Sequence, residues 1–213
     1  MPYSSSAFDQ TVFTLLTLLK PASVCDIGPG AGKYAHLVAA AAKAAQFGTR
    51  TTAVEIDATY VERFNLSSLY NQVIIADADE LISKPVLRFD LVIIGDCLEH
   101  MRKSKGCDLI NFLIYRSGYI IIIYPDKYIQ DDWEGHAQEA HISAWGESDF
   151  VNFGCTHSFK EGMHLFLIKG YQPTTCLIER LDSESVGYRS VLTPMKEVTE
   201  PRFDNLYDAA GGL

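Results

Sequence analysis

The stretch Ser23-Val24-Cys25-Asp26-Ile27-Gly28-Pro29-Gly30-Ala31-Gly32 sets the reading of the whole chain. Its first half is a short run suited to a buried strand, and its second half places glycine at every other position. Alternating glycines let the backbone turn tightly and approach a ligand without Cβ clashes. Behind the turn, Tyr34 to Gln46 is rich in alanine and predicts a helix, with Gly48 near its C-terminal end. A strand, a glycine turn and a helix together form the opening unit of a parallel α/β sheet. In such sheets ligands lie beyond the carboxyl ends of the strands, where this turn falls.

Reading outward, the alternation continues. Apolar residues at Phe8, Val12, Leu15, Leu16 and Leu19 have helical spacing, and Lys20-Pro21 ends that helix. Strands are predicted at Thr51–Ile56, Gln72–Ala76 and Arg88–Gly95, and helices at Thr59–Leu69 and Cys107–Tyr115. Gly118 to Tyr124 contains four consecutive isoleucines, and a run apolar on both faces belongs in the middle of a parallel sheet covered by helices. Glu147 to Phe153 reads as a short helix. Cys155–Phe159 and His164–Ile168 read as an antiparallel hairpin turning at Lys160-Glu161-Gly162. The expectation is a doubly wound, mostly parallel, seven-stranded α/β sheet closed by a C-terminal hairpin. The main domain spans residues 21–170, preceded by an N-terminal helix or lid (1–20) and followed by an extension (171–213). That extension reads as an extra strand, a further lid or a homodimer contact.

Composition narrows the classes of function. The 213 residues carry a formal net charge of −9, and 47% are hydrophobic, which suits a folded, water-exposed domain. An acidic chain of this kind lacks the broad basic face that nucleic-acid binding requires, so no nucleic-acid partner is expected. The longest apolar run, Tyr119 to Tyr124, is too short to span a bilayer. No basic segment followed by an apolar core opens the chain, and five cysteines lack paired short spacings. A reducing cytoplasm and no membrane partner are the expectations.

Three features sharpen the glycine turn. Its Gly-x-Gly-x-Gly spacing differs from the Gly-x-Gly-x-x-Gly of dinucleotide sites, and no Tyr-x-x-x-Lys pair occurs. Asp26 brings negative charge towards the turn, which repels a pyrophosphate and attracts a sulfonium or ammonium. Glu55 ends the second strand, where a carboxylate accepts both hydrogen bonds of a ribose diol. Asp77-Ala78 then follows the third strand, and Gly95-Asp96 the fourth.

Jointly these motifs resemble class I S-adenosylmethionine-dependent methyltransferases over roughly residues 20 to 170. Val24 to Gly32 is similar to the family's first motif, and Ala53-Val54-Glu55-Ile56-Asp57 to its second. Ala76-Asp77-Ala78-Asp79 looks like the adenine-contacting turn, and Phe89 to Asp96 like the fourth strand, continued by Leu98-Glu99-His100-Met101. The resemblance implies S-adenosyl-L-methionine as cofactor. Asp26, Gly28, Pro29, Gly30 and Gly32 would form the loop under its methionine moiety. Glu55 and Ile56 would meet the ribose, Asp77 and Ala78 the adenine, and Gly95 and Asp96 the methionine amino end.

The reacting end is read from residues beyond the fourth and fifth strands. His100 is the leading general base, since an imidazole titrates near neutral pH and can take a proton from a hydroxyl. The insertion 126–146 carries His136, His141 and Trp145. If His141 to Trp145 is helical, those two side chains share a face. His141 is taken as a second catalytic candidate, and His136, Trp145 and Tyr3 as substrate-binding residues. The insertion is similar to a His-x-Ser-x-Trp segment of bacterial methyltransferases acting on sugars or small metabolites. Asp126, Asp131 and Asp132 read as solvated carboxylates, so no metal is expected. No Asn/Asp-Pro-Pro-Tyr pattern of amino-group methylation follows the fourth strand, which favours a hydroxyl of a small metabolite or sugar as acceptor. The competing readings are an N-methyltransferase, a Rossmann-type NAD(P)-dependent enzyme and a non-catalytic methyltransferase-like subunit.

Overall fold

From Leu91 to Ile94 in β4 (Phe89–Gly95) and from Tyr119 to Tyr124 in β5 (Ser117–Pro125) the side chains sort by parity. Val92, Ile94, Ile120 and Ile122 face one layer, packed on Leu109, Ile110 and Leu113 of helix α5 (Lys103–Ile114). Leu91, Ile93, Ile121 and Ile123 face the other, against Val12, Leu15 and Leu16 of α1 (Asp9–Leu19) and Tyr34 and Val38 of α2 (Lys33–Ala45). The period-two alternation of a strand thus converts the isoleucine run into the shared wall of two cores. The computed structural model describes residues 4–84 and 86–174, with the backbone of 177–178 and 192–193.

The remaining strands are β1 (Ser23–Ile27), β2 (Arg50–Glu55), β3 (Gln72–Ile75), β6 (Cys155–Lys160) and β7 (Met163–Lys169). They assemble in the order β3-β2-β1-β4-β5-β7-β6. The first five are mutually parallel, whereas β7 runs antiparallel to both β5 and β6. The expected seven-stranded, doubly wound sheet with its C-terminal hairpin is therefore the fold observed. The direction of winding reverses between β1 and β4, and the crevice at that point receives the turns after both strands.

Three local expectations change. The helix expected over Thr59–Leu69 divides into α3 (Ala58–Arg63) and α4 (Leu66–Leu69). Asn65 between them adopts a left-handed φ of 49°, which breaks the helical hydrogen-bond run. The segment Glu147–Phe153 holds only a single 3₁₀ turn at Glu147–Asp149. His141 to Trp145 is irregular, so no helix aligns those two side chains. In the C-terminal extension, Leu177–Ile178 pairs antiparallel with Leu192–Thr193. The other expectations for residues 175–213, and that for Tyr3, lie outside the described residues. Among the described residues no helix is long and apolar enough to cross a membrane.

Candidate active site

The turn after β1 is held by its own backbone. Gly28 N–H donates to Val54 of β2 and Gly32 N–H to Pro29, at 3.0 and 2.8 Å. Gly28 has a left-handed φ of 71°, and a Cβ there would stand 2.8 Å from Cys97 Sγ. Both the conformation and the close approach require glycine. Gly95 is constrained from the other side of the crevice, where a Cβ would meet the Tyr34 ring at 2.3 Å.

Three adjoining cavities open from this crevice. The largest, about 470 Å³, runs over Ile27, Glu55, Ile56, Asp77 and Ala78 and is walled by Met101. A niche of about 80 Å³ touches Gly28, Gly30, Gly95 and Asp96. A third chamber of about 340 Å³ is lined by Asp96, Glu99, His100, Tyr128 and His141. His100 borders all three. The small niche shares Glu55 and Ile56 with the large cavity and Ser4 and Asp96 with the third chamber, so the three follow one another along the crevice.

Glu55 stands where the second strand delivers it, buried at 4% exposure, with its carboxylate accepting from Asp57 N–H at 2.9 Å. Burial raises its pKa to about 7. Asp57 caps α3 through Thr59 and also takes hydrogen bonds from His136, at 2.8 Å, and Gln138. His136, packed 4.8 Å from the Tyr60 ring, therefore fastens the insertion over the Asp57 end of the crevice. It borders none of the three cavities, which corrects its expected place in a substrate pocket.

Asp77 lines the largest cavity but is already engaged. Its carboxylate caps the following 3₁₀ turn and pairs with Lys105 at 3.0 Å, while Lys105 also meets Asp79 at 2.6 Å. Burial alone would raise the Asp77 carboxyl, but the hydrogen bond from Lys105 and the nearby Asp79 N–H outweigh it and hold it ionised below its ordinary range. Lys105, unforeseen in the sequence, fixes which face of this carboxylate is left for a ligand.

Asp26 is placed differently from expectation. It is 1% exposed, borders none of the cavities and accepts the Tyr70 hydroxyl beneath the glycine turn. Burial raises its pKa to about 7. It can act on a cationic ligand through its field, not by contact. Pro29 and Gly32 likewise shape the turn without bordering a cavity, Gly32 packing against Leu69.

On the reactant side, the insertion is stitched to the 3₁₀ turn Leu98–His100 that follows β4. The Glu99 carbonyl accepts from the N–H groups of Ile142 and Ser143, at 2.8 and 3.1 Å. The Leu98 carbonyl accepts from Ser143 Oγ and from the Trp145 indole, both at 3.1 Å. Trp145 is buried on the sheet side and lies over Gly106 of α5, where a Cβ would be 2.6 Å from the ring. The expected substrate-binding role of Trp145 is replaced by a structural one, because its indole seals the core and its N–H ties the insertion down.

These stitches bring His141 beside His100, with ring centroids 4.7 Å apart. Nδ1 of His100 engages the Ala140 carbonyl at 3.2 Å, and Nδ1 of His141 the Tyr128 carbonyl at 2.8 Å. Both rings therefore leave Nε2 for the cavity. Burial lowers the His100 pKa, keeping that imidazole neutral, and raises that of Asp96. His157 and His164 bond to each other at 2.9 Å on the hairpin, away from the crevice. The described cysteines carry free thiols.

No protein-family model matches the chain, and no curated protein matches it in sequence. Solved structures do match in shape. An O-methyltransferase family protein from Burkholderia thailandensis superposes with a TM-score of 0.57 at 10% identity, over 78% of this chain and 55% of that one. The present chain thus spans little more than half of that relative. The N-terminal domain of EvdMO1 with SAH bound gives 0.55 at 14% identity, over 79% of this chain and 83% of that one. The magnesium protoporphyrin IX methyltransferase of Synechocystis PCC 6803, with bound SAH, gives 0.53 at 17% identity, over 76% and 83%. Strand order, the crevice at the reversal point and these superpositions agree: the chain has the class I methyltransferase fold.

Proposed function

We propose that the protein is an S-adenosylmethionine-dependent methyltransferase that transfers the methyl group to a hydroxyl of a small metabolite or sugar. The observation that carries this reading is the order of the three cavities around His100, each with the groups its occupant needs. Glu55 offers a buried carboxylate to the ribose diol, and the Asp77-Ala78 turn receives the adenine. Gly28, Gly30, Gly95 and Asp96 surround the niche where an amino-acid moiety fits. Buried acids at Asp26 and Glu55 favour a cationic sulfonium over a pyrophosphate.

Methyl transfer is an in-line displacement, so the protein's main task is to align the acceptor oxygen with the methyl group. The chamber beyond His100 is a pocket of small-molecule size, which supports a metabolite as acceptor. His100 and His141 face it as the groups that handle the acceptor's proton. Related shapes include a protein studied in the presence of SAH and D-fucose, and the mitomycin 7-O-methyltransferase, which supports oxygen as the atom methylated.

Calorimetry with S-adenosylmethionine, S-adenosylhomocysteine and NAD tests the cofactor. Micromolar binding of the first two without NAD binding is the expected result. Tight NAD binding with no response to either sulfur nucleoside would sink the proposal.

A further inference from the structure

Glu99 is out of keeping with its surroundings. It is 4% exposed, and neither carboxylate oxygen has a hydrogen-bond partner in any other described residue. A buried carboxylate without a partner is costly, and such groups are paired or bound to metal. Its carboxylate faces a ring nitrogen of His100 and one of His141, and the three donor atoms lie within 4.8 Å of one another. Asp96 lines the same chamber, its carboxylate hydrogen-bonded to Ser4 but with Oδ2 buried and without a partner among the described residues.

The two imidazoles are already oriented. Each has Nδ1 on a backbone carbonyl, of Ala140 and Tyr128, so each presents a lone pair on Nε2. A carbonyl on the far ring nitrogen is the arrangement that fixes the tautomer of metal-ligating histidines. Donors about 2.1 Å from one cation stand roughly 3–4 Å apart, so small side-chain rotations close this cluster onto an ion.

We propose that Glu99, His100 and His141, with Asp96 as a fourth donor, bind one divalent first-row transition cation, such as Mn²⁺ or Zn²⁺. The mixed imidazole and carboxylate set selects this class over Mg²⁺ or Ca²⁺, which favour all-oxygen sites. The sequence offers no metal-ligand spacing, because His141 reaches the cluster only through the stitched insertion.

The chemistry at this site rests on the methyltransferase reading, whereas the binding of the cation does not. An acceptor hydroxyl coordinated here becomes more acidic and releases its proton to water. Its oxygen then forms the O–CH₃ bond as the S–CH₃ bond breaks and that electron pair stays on sulfur. His100 and His141 then work as ligands, and the coordinated oxygen no longer needs a protein base.

The test uses the full chain, stripped with chelator and titrated with Mn²⁺ under electron paramagnetic resonance, then with Zn²⁺ by calorimetry. One ion per chain with a micromolar dissociation constant is expected. Glu99→Gln and His141→Ala should each weaken it by about tenfold or more. His141 is only partly buried, so His141→Ala keeps the fold, as S-adenosylhomocysteine affinity within about threefold of the parent would verify. Absence of stoichiometric binding of both metals, or equal affinity in the parent and both variants, overturns the proposal. Metal binding as expected without sulfur-nucleoside binding keeps the site and removes the methyltransferase reading instead.

Discussion

On the glycine-turn side of the crevice, Gly28, Glu55 and Asp77 each stand at or just past the carboxyl end of a parallel strand, and the sheet itself sets their spacing. On the His100 side, the proposed acceptor half, His141 is brought to His100 by backbone carbonyls of Leu98 and Glu99 that hold an irregular segment about forty residues further along. The first half is positioned by hydrogen-bond ladders continuous through the core. The second depends on a few bonds and one indole, so single substitutions should affect the two halves very differently.

The largest effect should come from His100→Ala, since His100 borders all three cavities. Methyl transfer from labelled S-adenosylmethionine to hydroxylated metabolites should fall about 10²- to 10⁴-fold. S-adenosylhomocysteine affinity, measured by calorimetry, should change far less. An equal loss of both would show that the two halves are not separable.

Glu55→Ala should invert that pattern. Losing two charge-assisted hydrogen bonds to the ribose predicts about a 100-fold rise in the S-adenosylhomocysteine dissociation constant. Unchanged affinity would place the ribose elsewhere.

The pH dependence sharpens the contrast further. The folded-state pKa of Glu55 is about 7, against an ordinary 4.5, and that of Asp26 is about 7, against 3.8. The folded state therefore holds more protons than the unfolded chain between these values, so stability falls as pH rises through that window. In the proposed function the ribose is held by the ionised Glu55, so S-adenosylhomocysteine affinity should climb about tenfold per pH unit up to about 7. Thermal melts with and without S-adenosylhomocysteine read both trends, and Glu55→Gln should flatten the second.

Trp145→Phe should have the smallest effect. It keeps most of the buried ring and loses the bonds from the indole to Leu98 and Ser143, at a cost of about 1 kcal/mol. For a chain of this size that lowers the melting temperature by about 2–4 °C. S-adenosylhomocysteine affinity should hold while the acceptor half loosens. A drop in cofactor affinity would tie the insertion to the nucleoside pocket.

The contrast also explains what could be read in advance. That Glu55, Asp77, Gly95 and Asp96 line the crevice was legible because a strand end delivers its next residues to the carboxyl edge of the sheet. Trp145 was misread because an indole in a polar loop looks like a binding group until the core beneath it, at Gly106, is known. Lys105 and Tyr70 gave no signal, since each acts by engaging a carboxylate that is remote in sequence. Glu99 stood in its motif without a role of its own, and only its burial without a partner among the described residues singles it out.

The sequence by itself determined the layered α/β architecture, the glycine turn after the first strand and the strand ends around it. These follow from local periodicity and from glycines whose backbone geometry no other residue tolerates. The tertiary structure decided the rest: that Asp26 lies beneath the turn, that Trp145 belongs to the core, and that Glu99, His100 and His141 converge. Those outcomes depend on contacts between distant segments, where burial and hydrogen-bond partners, not residue type, set what a side chain can do.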